Sequence, residues 1–122
     1  MSSGDRGSVT VLLAGALFAV LVLGIVIGAC GQALAARFQA STAADAAALA
    51  AAPATFHGDP HEEAVKIAEA NGARLVSCRC PSDRTWAPRT VETVVEIDVD
   101  ILGLGHQTIR AKGRAEYVPA GS

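Results

Sequence analysis

The chain has 122 residues, 51% of them hydrophobic, and its 10 basic and 12 acidic side chains leave a net charge of −2. No basic block is present, which argues against nucleic acid as a partner. Roughly 70 residues follow the N-terminal helix described below, and a unit of that size can form only a thin core.

An uncharged, mostly apolar run begins close to the N-terminus and extends over residues 7–36. A helix needs about 20 apolar residues to cross a hydrocarbon layer of roughly 30 Å. Val9–Gly31 slightly exceeds that length, with Arg6 before it and Arg37 after it. The pattern predicts a single membrane span, so the lipid bilayer is the first expected partner.

The same segment can be compared with processed signals. A cleaved secretory signal would need a shorter apolar region and a change of composition after it, which this chain lacks. Ile27–Cys30 loosely fits the sequence around the lipidated cysteine of a lipoprotein, but helix-forming residues follow where a polar tether is usual. We favour a retained helix, and the alternative is a lipoprotein anchored at Cys30 that serves as an envelope accessory or binding protein.

The helical pattern continues beyond the apolar run. Alanine, which has the highest helix propensity, dominates the next stretch up to Pro53, and this proline is expected to end the helix. Residues 8–52 are therefore predicted as one helix, about 67 Å long at 1.5 Å per residue. Gly24, Gly28 and Gly31 give it a smooth stripe along which another helix could approach closely.

The first 52 residues resemble a known family. One part of the resemblance is Arg6–Val11 ahead of the apolar helix. The other is a motif in the alanine-rich stretch, which consists of Gln39, Ala44, Asp45, Ala46, Ala47 and Leu49. Together they are similar to TadE/TadG-like proteins of tight-adherence (Flp-type) pilus loci, and most of all to the short actinobacterial TadE-like proteins.

This resemblance implies a minor pilin, pseudopilin or assembly component of a Tad-type pilus or secretion system. It implies residues 1–7 as a cytoplasmic leader or tail, 8–52 as the transmembrane and membrane-proximal helix, and 53–122 as an extracytoplasmic head. The protein would be single-pass in the plasma membrane, and its partners would be other pilin-like or Tad-type membrane proteins in homo- or hetero-oligomers. Prepilin-type cleavage would fall between Gly7 and Ser8, although Leu12 stands where such prepilins usually carry a glutamate.

The head is predicted to contain a short helix followed by antiparallel strands, so the whole chain is an α+β, pilin-like fold. Asp59-Pro60 is typical of a helix start, and Asn71-Gly72 is typical of a helix end. Arg74–Cys78 has the pattern of a short strand, and Thr90–Leu102 is a longer strand with apolar and acidic residues on opposite faces. Gln107–Tyr117 returns as its partner after a glycine-containing turn.

The register of this hairpin is predicted from its side chains. Centring the turn on Leu104 pairs Asp98 with Arg110, Glu96 with Lys112, Val99 with Ile109 and Ile97 with Ala111. In this register basic residues neutralise the acidic row, which is therefore expected to be a solvated sheet face and not a cation site.

The remaining candidate residues lie between the short helix and the hairpin. Cys78 and Cys80 could form a short-loop disulfide outside the cytoplasm or remain two reduced thiols, and their spacing to the histidines matches no standard zinc motif. Trp86 is either a cap on the thin core, which we favour, or a contact for a partner. No common nucleophile, zinc-protease or phosphate-loop motif is present, so no metal, cofactor or enzymatic activity is expected.

Overall fold

The computed structural model describes residues 3–83 and 85–119. Met1 and Ser2 of the predicted leader lie outside the described residues, as do the side chains of residues 3–6. The elements are α1 (Ser3–His57), α2 (Pro60–Ala70), β1 (Arg74–Arg79), β2 (Arg89–Ile101) and β3 (Gly105–Tyr117). The strands form one antiparallel sheet in the order β1-β2-β3, so the predicted α+β arrangement is confirmed.

The first helix extends further than the sequence predicted. It begins inside the expected leader, and it continues through Pro53 to His57, so the prediction that this proline ends the helix is wrong. Pro53 and Leu49 both lie on the exposed side, where water can bind the Leu49 carbonyl that loses its helical partner. Tertiary contact stabilises the last turn, because the Thr55 carbonyl accepts a hydrogen bond from the Asp83 amide at 2.9 Å.

The second helix has the predicted ends. The Asp59 carboxylate accepts a hydrogen bond from the Glu62 amide at 3.1 Å and caps the N-terminus. At the other end Gly72 has a φ of 75°, a left-handed conformation that favours glycine. There the Gln39 side-chain amide donates to the Asn71 carbonyl at 3.4 Å, which ties the end of α2 to α1.

The core of the head lies between one face of α1 and the sheet, with α2 alongside. The side chains that α1 contributes to it are all small: Ala36, Ala40, Ala43, Ala44, Ala47, Ala48, Ala51 and Ala52 are buried. From the sheet come Val91, Val95 and Ile97, and from α2 come Ala64 and Ala68. Because each alanine adds only a methyl group to the helix surface, the sheet can approach the backbone of α1 closely.

Helix and sheet approach each other closely at Ala44. Thr93 of β2 is fully buried, and its hydroxyl donates to the Ala44 carbonyl oxygen at 2.7 Å. On the neighbouring strand Gly113 faces the same point. A Cβ built on Gly113 would overlap the Ala44 carbonyl and would lie 2.6 Å from the Asp45 amide nitrogen. Only glycine fits there without separating β3 from the helix.

The hairpin of β2 and β3 has the predicted faces but a different register. Ile97 lies opposite Ile109, Glu96 opposite Arg110, and Ile101 opposite Gly105, so the predicted pairing is wrong by two residues. The turn is centred on Gly103, whose φ of 86° requires a residue that tolerates the left-handed region. A shift of two residues leaves every side chain on the same face, and for that reason alternation alone could not detect it.

The turn of the hairpin lies against the middle of α1. The Leu102 amide donates to the Gln32 side-chain oxygen at 2.7 Å. The opposite end of the sheet lies beside the end of α1, where Arg89 of β2 contacts Thr55. The head therefore extends along the helix from Gln32 to its C-terminal end.

Replacing Gly113 with alanine should destabilise the head strongly. The added Cβ would collide with helix backbone, which cannot rotate away as a side chain can, so we expect a loss of about 3 kcal/mol or more in the free energy of unfolding. The measurement is chemical unfolding of the full chain in detergent micelles, followed by the fluorescence of Trp86.

Gly58→Ala is the matched control, since a Cβ at Gly58 would have no atom within 4 Å. This variant should unfold within roughly 0.5 kcal/mol of the wild type. Equal stability of the two variants would contradict the close contact between β3 and α1.

Candidate membrane and assembly interface

The N-terminal part of α1 is exposed over residues 7–28. The side chains of residues 7–28 are exposed along their whole length, and this stretch includes Val9, Val11, Leu12, Leu13, Leu17, Phe18, Val20, Leu21, Val22, Leu23, Ile25, Val26 and Ile27. These 22 residues extend about 33 Å as helix, close to the thickness of a hydrocarbon layer. Among the described residues, α1 is the one helix long and apolar enough to cross a membrane. It fits a single-pass membrane protein.

The three glycines of the predicted packing stripe are open in this chain. No atom lies within 4 Å of a Cβ built on Gly24, Gly28 or Gly31. Their role in helix packing stays a prediction, and so does prepilin-type processing. The Gly7-Ser8 peptide bond lies within α1, and both residues are exposed.

The residues of the alanine-rich motif divide between two faces of α1. Ala44 and Ala47 are buried against the sheet, and Ala46 is half-buried. Asp45 and Leu49 point away from the sheet, and the Leu49 side chain is 67% exposed. The motif therefore combines residues that build the head with residues that remain free for another contact.

An exposed stripe follows α1 from the membrane segment past the motif. Its members recur at alternating spacings of four and three residues, and all are exposed: Gly24, Gly28, Gly31, Ala35, Phe38, Thr42, Asp45 and Leu49. At 3.6 residues per turn this spacing keeps them on one face, roughly opposite the buried alanines. The exposed stripe thus begins with small residues in the apolar segment and ends with Phe38 and Leu49 beside the head.

The solvent face of the sheet carries a network of charges. Arg74 donates to Glu96 at 2.8 Å and to Asp98 at 2.5 Å, and Arg110 donates to Glu96 at 3.2 Å. The hydrogen bond that Arg74 donates lowers the pKa of the Asp98 carboxyl. The hydrogen bond from the Thr108 hydroxyl lowers this pKa further. Arg74 also lowers the pKa of Glu96, while both carboxylates raise the pKa of Arg74. Sequence reasoning found the acidic row but missed Arg74, which comes from β1.

The two head cysteines lie at the end of β1. The structure joins Cys78 to Cys80, with a Cα–Cα distance of 5.3 Å that is ordinary for disulfides. Cys30 is a free, exposed cysteine within the unbroken helix α1. Among the described residues, no group of three or more His, Cys, Asp or Glu side chains is arranged to hold a metal ion.

The loop before β2 is organised by an arginine that sequence reasoning also missed. Arg89 is buried and donates to the backbone carbonyls of Asp83, Thr85 and Ala87. Its guanidinium lies 5.9 Å from the centre of the Phe56 ring, where a cation–π contact is favourable. Asp83 and Arg84 are also charged and lie nearby in the sequence, and nothing in the sequence distinguishes Arg89 as the side chain that becomes buried.

Trp86 lies at the tip of this loop. Its ring centre is 5.2 Å from that of Phe56, at the C-terminal end of α1. The Trp86 side chain remains 61% exposed, so it covers the end of the helix and not the core between α1 and the sheet.

Comparison with known protein families gives a match that lies within α1. The family model of Flp pilus-assembly TadE/G-like proteins matches residues 7–54. The match includes the exposed apolar part of α1 and the alanines that build the core, whereas α2 and the sheet lie outside it. No curated protein and no solved structure matches the chain. The match supports the resemblance to TadE-like proteins, a family not known as enzymatic.

The charge network predicts a pH dependence of stability. Because the pKa values of Glu96 and Asp98 are lowered in the folded head, their stabilisation is fully present above their ordinary values of 4.5 and 3.8. It is lost as the pH falls below those values. The midpoint of thermal unfolding should therefore fall more steeply below pH 4.5 in the wild type than in the E96Q/D98N variant.

Glu69→Gln removes an exposed carboxylate from α2 and serves as the control. Thermal scans of the full chain in micelles from pH 7 to pH 3 compare the three proteins. If the midpoint of thermal unfolding falls as steeply with pH in E96Q/D98N as in the wild type, the charge network does not stabilise the folded head.

Proposed function

We propose that this chain is a minor pilin, pseudopilin or assembly component of a Tad-type pilus or secretion system. In this role α1 crosses the plasma membrane once, with its N-terminus in the cytoplasm and the head on the outer side. The observation that carries the proposal is the continuity of α1. One unbroken helix leads from the exposed apolar segment into the head, and the TadE/G-like family model matches that part of the chain.

The exposed stripe is the surface that this function would use. Within lipid, helices associate where small residues let their backbones approach, and Gly24, Gly28 and Gly31 offer such positions. Outside lipid, Phe38 and Leu49 continue the stripe with apolar area. One helix of a homo- or hetero-oligomeric partner could therefore contact α1 both inside and outside the bilayer.

Asp45 gives the exposed stripe one charged position. A polar group within an apolar helix seam favours partners that place a complementary group at the same height, and so it selects register. We infer that Asp45 helps to choose the partner, while the neighbouring alanines of the motif fold the head. We also propose that, within the TadE-like family, this chain is most similar to the short actinobacterial proteins.

Crosslinking in native membranes tests the proposed contact. In a Cys30→Ser background, F38C places a thiol on the exposed stripe, whereas R37C places one on the adjacent exposed side of α1. Mild oxidation should link the F38C protein to itself or to another membrane protein, which mass spectrometry identifies. The R37C protein should give at least about fivefold less product, because it faces away from the seam.

Glycine variants extend this test into the membrane. G28L should reduce F38C crosslinking roughly fivefold, since a leucine prevents close approach of the backbones. G15L changes a glycine that is equally open but lies on the other side of the helix, and it should leave crosslinking unchanged. Equal crosslinking of F38C and R37C, or equal effects of G28L and G15L, would contradict the exposed stripe as an assembly surface.

The mass of the mature N-terminus separates this proposal from the lipoprotein alternative. An N-terminus at Ser8 would support prepilin-type processing, and an intact Met1 would support a plain membrane anchor. A diacylglyceryl group on Cys30, with the upstream part of α1 removed, would instead support an envelope accessory or binding protein. The unbroken course of α1 through Cys30 favours the retained helix, so we expect one of the first two results.

A further inference from the structure

The turn between β2 and β3 exposes two leucines. Leu102 is 54% exposed and Leu104 is 65% exposed, on either side of Gly103. Turns of this kind usually carry polar residues, because their side chains meet water. From Ile101 to Gly105 this turn contains no charged or polar side chain at all. We call Leu102–Leu104 the hairpin tip.

The height of the hairpin tip along α1 is fixed by a hydrogen bond. The Leu102 amide donates to the side-chain oxygen of Gln32 at 2.7 Å. Nearby, Ile109 of β3 faces the same part of α1 across a small cavity that Cys30, Ala33, Leu34 and Arg37 also line. The tip is therefore held beside the helix and does not project freely from the head.

This height coincides with the edge of the membrane span. The predicted span Val9–Gly31 extends about 35 Å as helix, and Gln32 is the next residue of α1. A bilayer has a hydrocarbon core of about 30 Å and a total thickness of about 40–45 Å, so each interfacial layer is about 5–8 Å deep. With this span placed across a bilayer, the hairpin tip would lie at the depth of the lipid headgroups.

We infer that the hairpin tip inserts its two leucines into the boundary between lipid headgroups and acyl chains. The inference rests on the proposed single-pass arrangement, because the span sets the depth of Gln32. It gives the chain a second membrane contact, beside the span itself. Because the tip carries no basic residue, the contact is apolar and should not require anionic lipid.

The second contact would restrict how the head sits on the membrane. A single helix can rotate about its axis and tilt, whereas a helix and a hairpin tip that enter the same leaflet define an orientation. The head would then keep a constant angle to the bilayer plane. The exposed stripe around Phe38 would keep a constant orientation with it. A partner helix in the same membrane could then contact the exposed stripe without the head first having to rotate into position.

Tryptophan fluorescence with lipid-borne quenchers tests this inference. The wild-type chain has one tryptophan, Trp86, which contacts Phe56 about 36 Å along the helix from Gln32 and should stay far from lipid. The W86F/L104W variant moves the indole to the hairpin tip. Both full-length proteins are reconstituted in phosphatidylcholine vesicles whose acyl chains carry bromine close to the headgroup.

Bromine should reduce the fluorescence of W86F/L104W at least about twofold, because an interfacial side chain lies within roughly 5–10 Å of these groups. Trp86 of the wild type should change by less than about a tenth, since it lies outside that range. W86F/L102W repeats the test at the other leucine, and it keeps the backbone hydrogen bond to Gln32. The quenching should be the same with and without added anionic lipid.

Two outcomes would overturn the inference. If the variants float with the vesicles but bromine leaves both tip positions unquenched, the tip does not touch lipid, while the single-pass arrangement stands. A blue-shifted but unquenched tip would mean that another protein surface covers it. If the proteins do not float with the vesicles, the membrane span fails and the inference fails with it.

Discussion

The backbone of α1 and the sheet meet at the Ala44 carbonyl, where the Thr93 hydroxyl donates to it and Gly113 leaves room for it. A hydrogen bond from a buried side chain to a helix carbonyl requires the strand to lie very close to the helix. The alanines along this face permit that approach, because larger side chains would separate the layers by several ångströms. The rest of the head depends on this contact, since α2 and the sheet pack on the same alanine face.

This arrangement makes the membrane helix part of the core of the head. Eight buried alanines of α1 supply its helical side, so the head has no complete core without them. A domain joined to its anchor by a flexible linker could move independently of the membrane. Here the helix that fits the membrane span is the same helix that folds the head, so a change in its position moves the head with it. That coupling would suit the proposed role in assembly with other membrane helices.

Much of the fold could be predicted from the sequence, and the failures have physical causes. Periodicity predicted the helices and the two faces of the hairpin, because burial follows the repeat of each element. The predicted register differs from the observed one by two residues, because alternation is the same for every even shift. The observed register centres the turn on Gly103, which has a left-handed conformation. Pro53 was expected to end α1, but its solvent-facing position makes the lost hydrogen bond tolerable. Arg74 and Arg89 were missed because their partners are distant in sequence or lie on the backbone.

Hydrogen–deuterium exchange of the full chain in lipid nanodiscs tests the central claim most directly. If α1 and the sheet share one core, the amides of residues 40–52 should exchange as slowly as those of residues 91–97 and lose protection in the same opening event. Residues 40–52 lie beyond the apolar segment, so lipid cannot account for their protection. Rapid exchange of residues 40–52 beside a protected sheet would contradict the account, because the head would then fold without the helix.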